Sequence, residues 1–367
     1  MQKFTNLKKA VVYDRVNKFG GAERVLVALK EIMGPELYTL LYQPSTASWA
    51  KDFKVRPSFF NFIPLLRNKH EILTPLAPLG FENFKFNDYD LLVSVTSSDA
   101  KAIITKPETI HVCYCLTPPR YLWGMDDFYK KRPGFGRLSS LVSAVFSRSL
   151  GYLRNNDMIF SARPDIYIAI SKEVQKRIKD IYNRDSIVVY PPVNYDFFSN
   201  IDRQEDDYYL VVSRLVPYKK VSLVIKAFNK LGKKLVVVGN GSEKNRLRQM
   251  ADDNITFAGQ IDDNRLREYY AGAKALIFPQ YEDFGITPLE AQSAGVPVIA
   301  FAKGGALETI VDKKTGIFFE TQTSGAIMNA VKRFEKIRFN EADCRENAKK
   351  FDKKEFIKNF SDVLNTL

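Results

Sequence analysis

Two glutamates, Glu282 and Glu290, are separated by seven residues that include Phe284-Gly285-Ile286-Thr287-Pro288, a stretch that reads as a strand end running into a helix. Proline at an early helical position sets the helix start near Thr287. The amides of Gly285, Ile286 and Thr287 then lie at the positive end of a helix dipole, without carbonyl partners of their own, and suit the oxygens of an anionic ligand. Carboxylates flanking such a turn can accept hydrogen bonds from sugar hydroxyls. A second pair, Arg214 and Lys219, lies in Ser213-Arg214-Leu215-Val216-Pro217-Tyr218-Lys219-Lys220. Its guanidinium fork and ammonium at a strand carboxyl end can clamp a diphosphate and neutralise the charge that it gains on leaving. Taken singly, each of these residues reads as an ordinary solvated charge.

Glycines supply the close approaches. Gly20-Gly21 opens a helix after the strand Ala10–Asp14, which permits backbone contact with a phosphate. Gly239, in Gly239-Asn240-Gly241-Ser242, and Gly259, in Gly259-Gln260-Ile261-Asp262, each follow an expected strand, where such turns commonly only join strand to helix. The two histidines, His70 and His111, lie far apart and outside any H-E-x-x-H helix, so a histidine-rich metal site is excluded. The three cysteines, Cys113, Cys115 and Cys344, show no paired C-x-x-C spacing, which argues against both a zinc site and a disulfide framework.

The run Tyr281-Glu282-Asp283-Phe284-Gly285-Ile286-Thr287-Pro288-Leu289-Glu290, continued by Ala291 to Ala300, resembles the signature of retaining glycosyltransferases of family four. That family has the GT-B fold, an α/β architecture of two facing Rossmann-like domains with an interdomain cleft. Arg214 and Lys219 look like its arginine-then-lysine pair, and the Gly259 loop is similar to its nucleobase-binding loop. Gly20-Gly21-Ala22-Glu23 and His111-Val112-Cys113-Tyr114-Cys115-Leu116-Thr117-Pro118-Pro119-Arg120 resemble a subgroup of bacterial O-antigen and capsule mannosyltransferases. The resemblance spans nearly the full chain.

The resemblance implies a nucleotide diphosphate sugar as substrate, no separate cofactor and no metal. Arg214, Lys219 and Glu282 would be catalytic, with Glu282 on the donor-sugar hydroxyls. Gly20, Gly21, Gly239, Gly259, Phe284, Gly285, Ile286, Thr287 and Glu290 would bind the donor, Glu290 through the ribose. Asp99, Leu116 and Arg120 would line the acceptor or sugar pocket. The leaving phosphate is thought to assist deprotonation of the acceptor in such enzymes. Relatives usually carry histidine where Leu116 stands and often where Asp99 stands, so the donor sugar is expected to differ from theirs. The implied acceptor is a lipid-linked or oligosaccharide glycan, with polyprenyl diphosphate as the carrier. The implied location is cytoplasmic, peripheral on the inner face of the membrane.

Strands and helices must hold these residues in place. Short apolar runs at Leu37–Tyr42, Asp90–Thr96, Thr109–Leu116, Asp165–Ser171 and Ser186–Pro191 alternate with helical stretches, which predicts a parallel sheet with ligand loops at the strand carboxyl ends. The alternation restarts after the proline-rich and acidic stretch Pro191–Asp207, read as a linker. Strands follow at Tyr208–Ser213, Lys234–Gly239, Asn254–Ala258, Ala275–Pro279, Pro297–Ala302 and Gly316–Glu320. The expected domains are an acceptor-side domain over 1–200 and a donor-binding domain over 201–352. An amphipathic helix near Lys353–Leu364 closes the chain, and residues 353–367 are expected to pack back on the first domain.

With 367 residues, 45% of them hydrophobic, the chain can build two cores. Its net charge of +13 favours anionic partners, and the excess lies mainly in the first 200 residues. Nucleic acid is disfavoured, because the charge is dispersed and no zinc, RNP or basic-zipper pattern is present. Lys130-Lys131-Arg132, ahead of the mostly apolar Leu138–Tyr152, suits an anionic membrane surface, with an ordinary core helix as the alternative. The start of the chain lacks the layout of a signal peptide, and no apolar run is long enough to span a membrane. Two rival readings are a GT-B-fold sugar-nucleotide epimerase and a non-catalytic nucleotide-sugar-binding scaffold.

Overall fold

The computed structural model describes residues 7–63, 74–124, 139–204 and 206–367, with backbone alone for 139–148. The chain divides into two compact units, one of Met1–Tyr190 with Ile357–Leu367 and one of Pro191–Phe356. The basic stretch Lys130, Lys131 and Arg132 lies outside the described residues.

The first unit holds a seven-stranded parallel sheet in the order β3-β2-β1-β4-β5-β6-β7. Its strands are β1 (Lys9–Val16), β2 (Glu36–Tyr42), β3 (Lys54–Pro57), β4 (Leu91–Thr96), β5 (Ile110–Cys115), β6 (Ile166–Ala169) and β7 (Ile187–Val188). Every residue of β4 is buried, as expected of a strand covered on both faces. β3 is the strand that periodicity does not show. Its sequence, Lys-Val-Arg-Pro, is polar and ends in proline, which suits an edge strand. Helix Ser139–Ser161 is tied down near its end by Asp157. That carboxylate pairs with Lys101 at 2.6 Å, both side chains being nearly inaccessible, and accepts from Trp123 Nε1 at 2.6 Å and Tyr182 Oη at 2.8 Å.

The second unit repeats the plan with six parallel strands in the order β10-β9-β8-β11-β12-β13. They are β8 (Tyr209–Val212), β9 (Leu235–Val238), β10 (Ile255–Gly259), β11 (Leu276–Phe278), β12 (Val298–Phe301) and β13 (Gly316–Phe319). The stretch expected to be a linker is instead part of this unit. Phe198, on the short helix Tyr195–Ser199, is fully buried and packs edge-on against Tyr270 at 5.7 Å. Helices Ser324–Phe334 and Glu341–Lys349 complete the unit. Their N-caps are Thr323 and Asn340, whose side chains accept from the Ala326 and Ala342 amides. The helix Lys353–Asn365 runs from the second unit into the C-terminal piece of the first, where Phe360 and Tyr114, both of the first unit, lie 6.0 Å apart. No helix among the described residues is long and apolar enough to cross a membrane.

Candidate functional site

In both sheets the strand order reverses once, between β8 and β11 in the second unit and between β1 and β4 in the first. Crossovers on either side of such a point leave to opposite faces, so a crevice opens outside the strand carboxyl ends, where ligands of open α/β sheets bind. In the second unit Arg214 and Lys219 follow β8, while Glu282 to Thr287 follow β11. The reversal therefore brings the two motifs side by side. Lys219 Nζ donates to Glu282 Oε1 across the crevice, and neither side chain is more than 20% exposed.

The loop after β8 is braced from below. Leu215 is fully buried and its amide donates to Asn240 O at 2.9 Å. A Cβ on Gly239, where φ is +133°, would fall 1.9 Å from Ser213 O, and one on Gly241 would fall 2.4 Å from Leu215 O. Gly239 thus seats one loop directly on the other, and its amide donates to Gly259 O at 2.7 Å. Pro217–Lys219 forms a single 3-10 turn. Within it the Tyr218 ring is near both cations, with the Arg214 guanidinium 5.9 Å and the Lys219 ammonium 5.4 Å from its centroid, and Arg214 donates to its hydroxyl. Tyr218 stood in the motif without a role assigned to it; the ring holding two like charges together could not be read from spacing.

Glu282 is placed by a segment that the sequence did not single out. It bridges to Gly304, and the Gly305 amide donates to its carbonyl at 2.9 Å. A Cβ on Gly305 would meet Phe284 O at 2.1 Å. The two glycines so fix the backbone beneath Glu282. Gly285, at φ +93° and ψ +81°, turns the chain into helix Ile286–Ser293, whose first amides have no carbonyl partner within the helix. Phe284 serves packing: its ring is 3% exposed and rests against Phe351 at 5.7 Å, so only its backbone is offered to a ligand. Glu290, one turn into the helix, is buried and accepts from Tyr270 Oη at 3.0 Å. Tyr270, on helix Asp263–Gly272, is a second residue that spacing did not reveal.

In the first unit Asp14, at the end of β1, organises the loop after β4. Its carboxylate accepts from Thr96 Oγ1 at 2.7 Å and from the amides of Ser97, Asp99 and Ala100 at 2.8, 3.1 and 3.0 Å. Asp99 Oδ2 accepts from Ser98 Oγ at 2.6 Å. Burial raises the Asp99 carboxyl to about 6, against the pull of the Ser98 hydroxyl and Lys101. Leu116, just past β5, donates its amide to Thr96 O at 2.8 Å, and Arg120 opens the short helix Arg120–Trp123. Gly20 caps helix Gly21–Met33 in an extended conformation. Glu23, in the first turn of that helix, is buried and accepts from Tyr13 Oη at 2.6 Å, and with burial it raises the Tyr13 hydroxyl well above its ordinary range. A carboxylate there works against a further anion at Gly20 and Gly21. Among the described residues no group of three or more His, Cys, Asp and Glu side chains is placed to hold a metal ion.

Residues 194–351 match the family Glycosyl transferases group 1. D-inositol 3-phosphate glycosyltransferase of Mycobacteroides abscessus is 29% identical over 182 residues, covering 43% of this chain and 41% of that protein. The GDP-mannose-dependent alpha-(1-6)-phosphatidylinositol monomannoside mannosyltransferase of Mycobacterium tuberculosis is 34% identical over 138 residues, covering 33% of this chain and 36% of that one. The chain thus spans less than half the length of either curated relative. Among solved structures, HepE of Anabaena with UDP and glucose gives a TM-score of 0.69 at 16% identity over 99% of this chain and 100% of that chain. Sucrose-phosphate synthase of Thermosynechococcus elongatus gives 0.69 at 17% identity over 98% of each. The fold is that of GT-B proteins, with two Rossmann-like parallel-sheet domains. Arg214, Lys219, Glu282 and Glu290 all lie within the residues, 194–351, that match the family Glycosyl transferases group 1.

Proposed function

We propose that this protein transfers a sugar from a nucleotide diphosphate sugar to a hydroxyl of a growing, polyprenyl-diphosphate-linked glycan, with retention at the anomeric carbon and without a metal. The observation that carries the reading is the meeting of Lys219 and Glu282 at the strand-order reversal, beside the helix start at Gly285 to Thr287 and the buried Glu290. Arg214, Lys219 and the first amides of helix Ile286–Ser293 would hold the diphosphate and stabilise the charge that develops as it leaves. These groups supply what a divalent ion supplies in other transferases. Glu290, held by Tyr270, would accept from the ribose hydroxyls, and Glu282 from the donor sugar. Gly239 and Gly259 shape the loops on the nucleotide side.

In the first unit Asp99, Leu116 and Arg120 would meet the sugars. Leucine in place of a hydrogen-bonding histidine leaves a C6 hydroxyl without a partner, a cost of about 1–3 kcal/mol, which favours a 6-deoxy sugar or a pentose as donor. Support for an acceptor at an anionic membrane surface comes from the net charge and from helix Ser139–Ser161, which exposes Tyr152, Met158 and Ile159.

Thermal shift with UDP, GDP, dTDP and CMP, followed by donor hydrolysis and transfer assays, tests the reading. One of the three diphosphates should stabilise the protein, and Lys219→Ala and Arg214→Ala should each cut transfer about 100-fold. Formation of an isomerised free sugar nucleotide without acceptor would favour the epimerase instead, and binding without any turnover would favour the scaffold.

A further inference from the structure

In the described structure Lys219 is neutralised by Glu282. The pair is partly withdrawn from water, with side chains 14% and 20% exposed. The two partners also differ in freedom. Glu282 has its backbone held by the bridge to Gly304 and by the Gly305 amide. Lys219 ends a single 3-10 turn and has a long, flexible stem. An anion that draws the ammonium to itself leaves Glu282 behind, near the arriving negative charge and stripped of its cation.

We infer that the Lys219–Glu282 pair makes the site discriminate between the sugar-bearing nucleotide and the bare nucleoside diphosphate. The inference rests on the transferase reading and adds to it. A bare diphosphate must take Lys219 from Glu282 and returns nothing to the carboxylate. A sugar on the same diphosphate brings hydroxyl donors that can replace the lost ammonium at Glu282. Substrate binding is thereby compensated, and product binding is not. The spent nucleotide leaves more readily than its affinity for Arg214 and the helix start alone would allow, because Glu282 competes to recover Lys219.

The test measures Kd by titration calorimetry for whichever of UDP, GDP and dTDP stabilises the wild type, and for a sugar conjugate of the same nucleotide. Glu282→Gln should bind the bare diphosphate about fivefold more tightly, the scale of one partly exposed ion pair. Its affinity for the conjugate should not rise, so the ratio between the two ligands collapses. In a Lys219→Met background Glu282→Gln should tighten the bare diphosphate clearly less than it does in the wild type, because only the direct repulsion by the carboxylate is then relieved and no competition for the ammonium. Glu282→Ala should show the same direction as Glu282→Gln. An unchanged or weakened Kd for the bare diphosphate in Glu282→Gln would overturn the inference while leaving the transferase reading in place. Tightening of undiminished size in the Lys219→Met background would also overturn it, since the effect would then be the carboxylate's repulsion alone and not competition for Lys219. A wild type bound by none of the diphosphates would overturn both.

Discussion

Two titratable groups of the first unit, the buried His111 and the partly buried Asp99, should pull its stability in opposite directions as the pH falls from 7 to 5. His111 is fully buried with Nε2 at 2.8 Å from Ser94 Oγ, and burial, helped by Arg163, lowers its pKa from 6.5 to about 3. Between these values the unfolded chain takes up a proton that the native state refuses, so acid destabilises the fold. At about 1.4 kcal/mol per pH unit, the loss by pH 5 is about 2 kcal/mol. Asp99 has the opposite sign. Burial raises it from 3.8 to about 6, so between these values the native state binds the proton more tightly than the unfolded chain does, and acid stabilises the fold. The gain by pH 5 is about 1 kcal/mol. The two partly cancel in the wild type, which keeps a net loss of about 1 kcal/mol. Urea unfolding of wild type, His111→Asn and Asp99→Asn at pH 7 and pH 5 separates them. Relative to wild type, His111→Asn should gain about 2 kcal/mol on acidification, and Asp99→Asn should lose about 1 kcal/mol. Parallel pH dependence in all three proteins would refute the argument, as would a His111 resonance titrating near 6.5 in the native state.

The other expectations concern the second unit. Gly305→Ala places a Cβ 2.1 Å from Phe284 O and should cost about 1–3 kcal/mol, seen as a lowered Tm, and should reduce kcat/KM by more than tenfold although residue 305 is assigned no ligand contact. Tyr270→Phe removes the hydroxyl that Glu290 accepts from at 3.0 Å. Nucleotide affinity measured by calorimetry should fall about tenfold, equivalent to about 1.4 kcal/mol, while Tyr270→Leu should in addition lose stability through the contact with Phe198. Transfer activity should survive excess EDTA, since cations and a helix start carry the charge; loss on chelation with recovery in magnesium would contradict the metal-free reading.

Strands such as β4 and β11 were legible because a strand covered on both faces is a short apolar run with few alternatives. β3 was not, because an edge strand keeps charge and proline and so lacks that signature. The stretch Pro191–Asp207 read as a linker on its prolines and acids, yet Phe198 within it is core; one buried aromatic decided what composition misjudged. At the site, charged residues at fixed spacing were visible as types, and the parallel topology accounts for the approach of Lys219 to Glu282 across the strand-order reversal. What spacing could not supply were supports drawn from far along the chain, Gly304 and Gly305 beneath Glu282 and Tyr270 beside Glu290. Phe284 shows the converse: a motif residue whose ring belongs to the core.

The first unit is built from two separated pieces of chain, with Phe360 and Leu364 buried and Phe360 set against Tyr114. During synthesis the residues of the second unit, 191–356, emerge as one uninterrupted stretch, whereas the first unit waits for residues beyond 356 before Phe360 can cover Tyr114. The second unit therefore has all of its residues before the first unit does, although it follows it in the sequence. A chain truncated just short of residue 357 would hold every residue of the second unit and a first unit still open around Tyr114, a state exposed to chaperones and proteases.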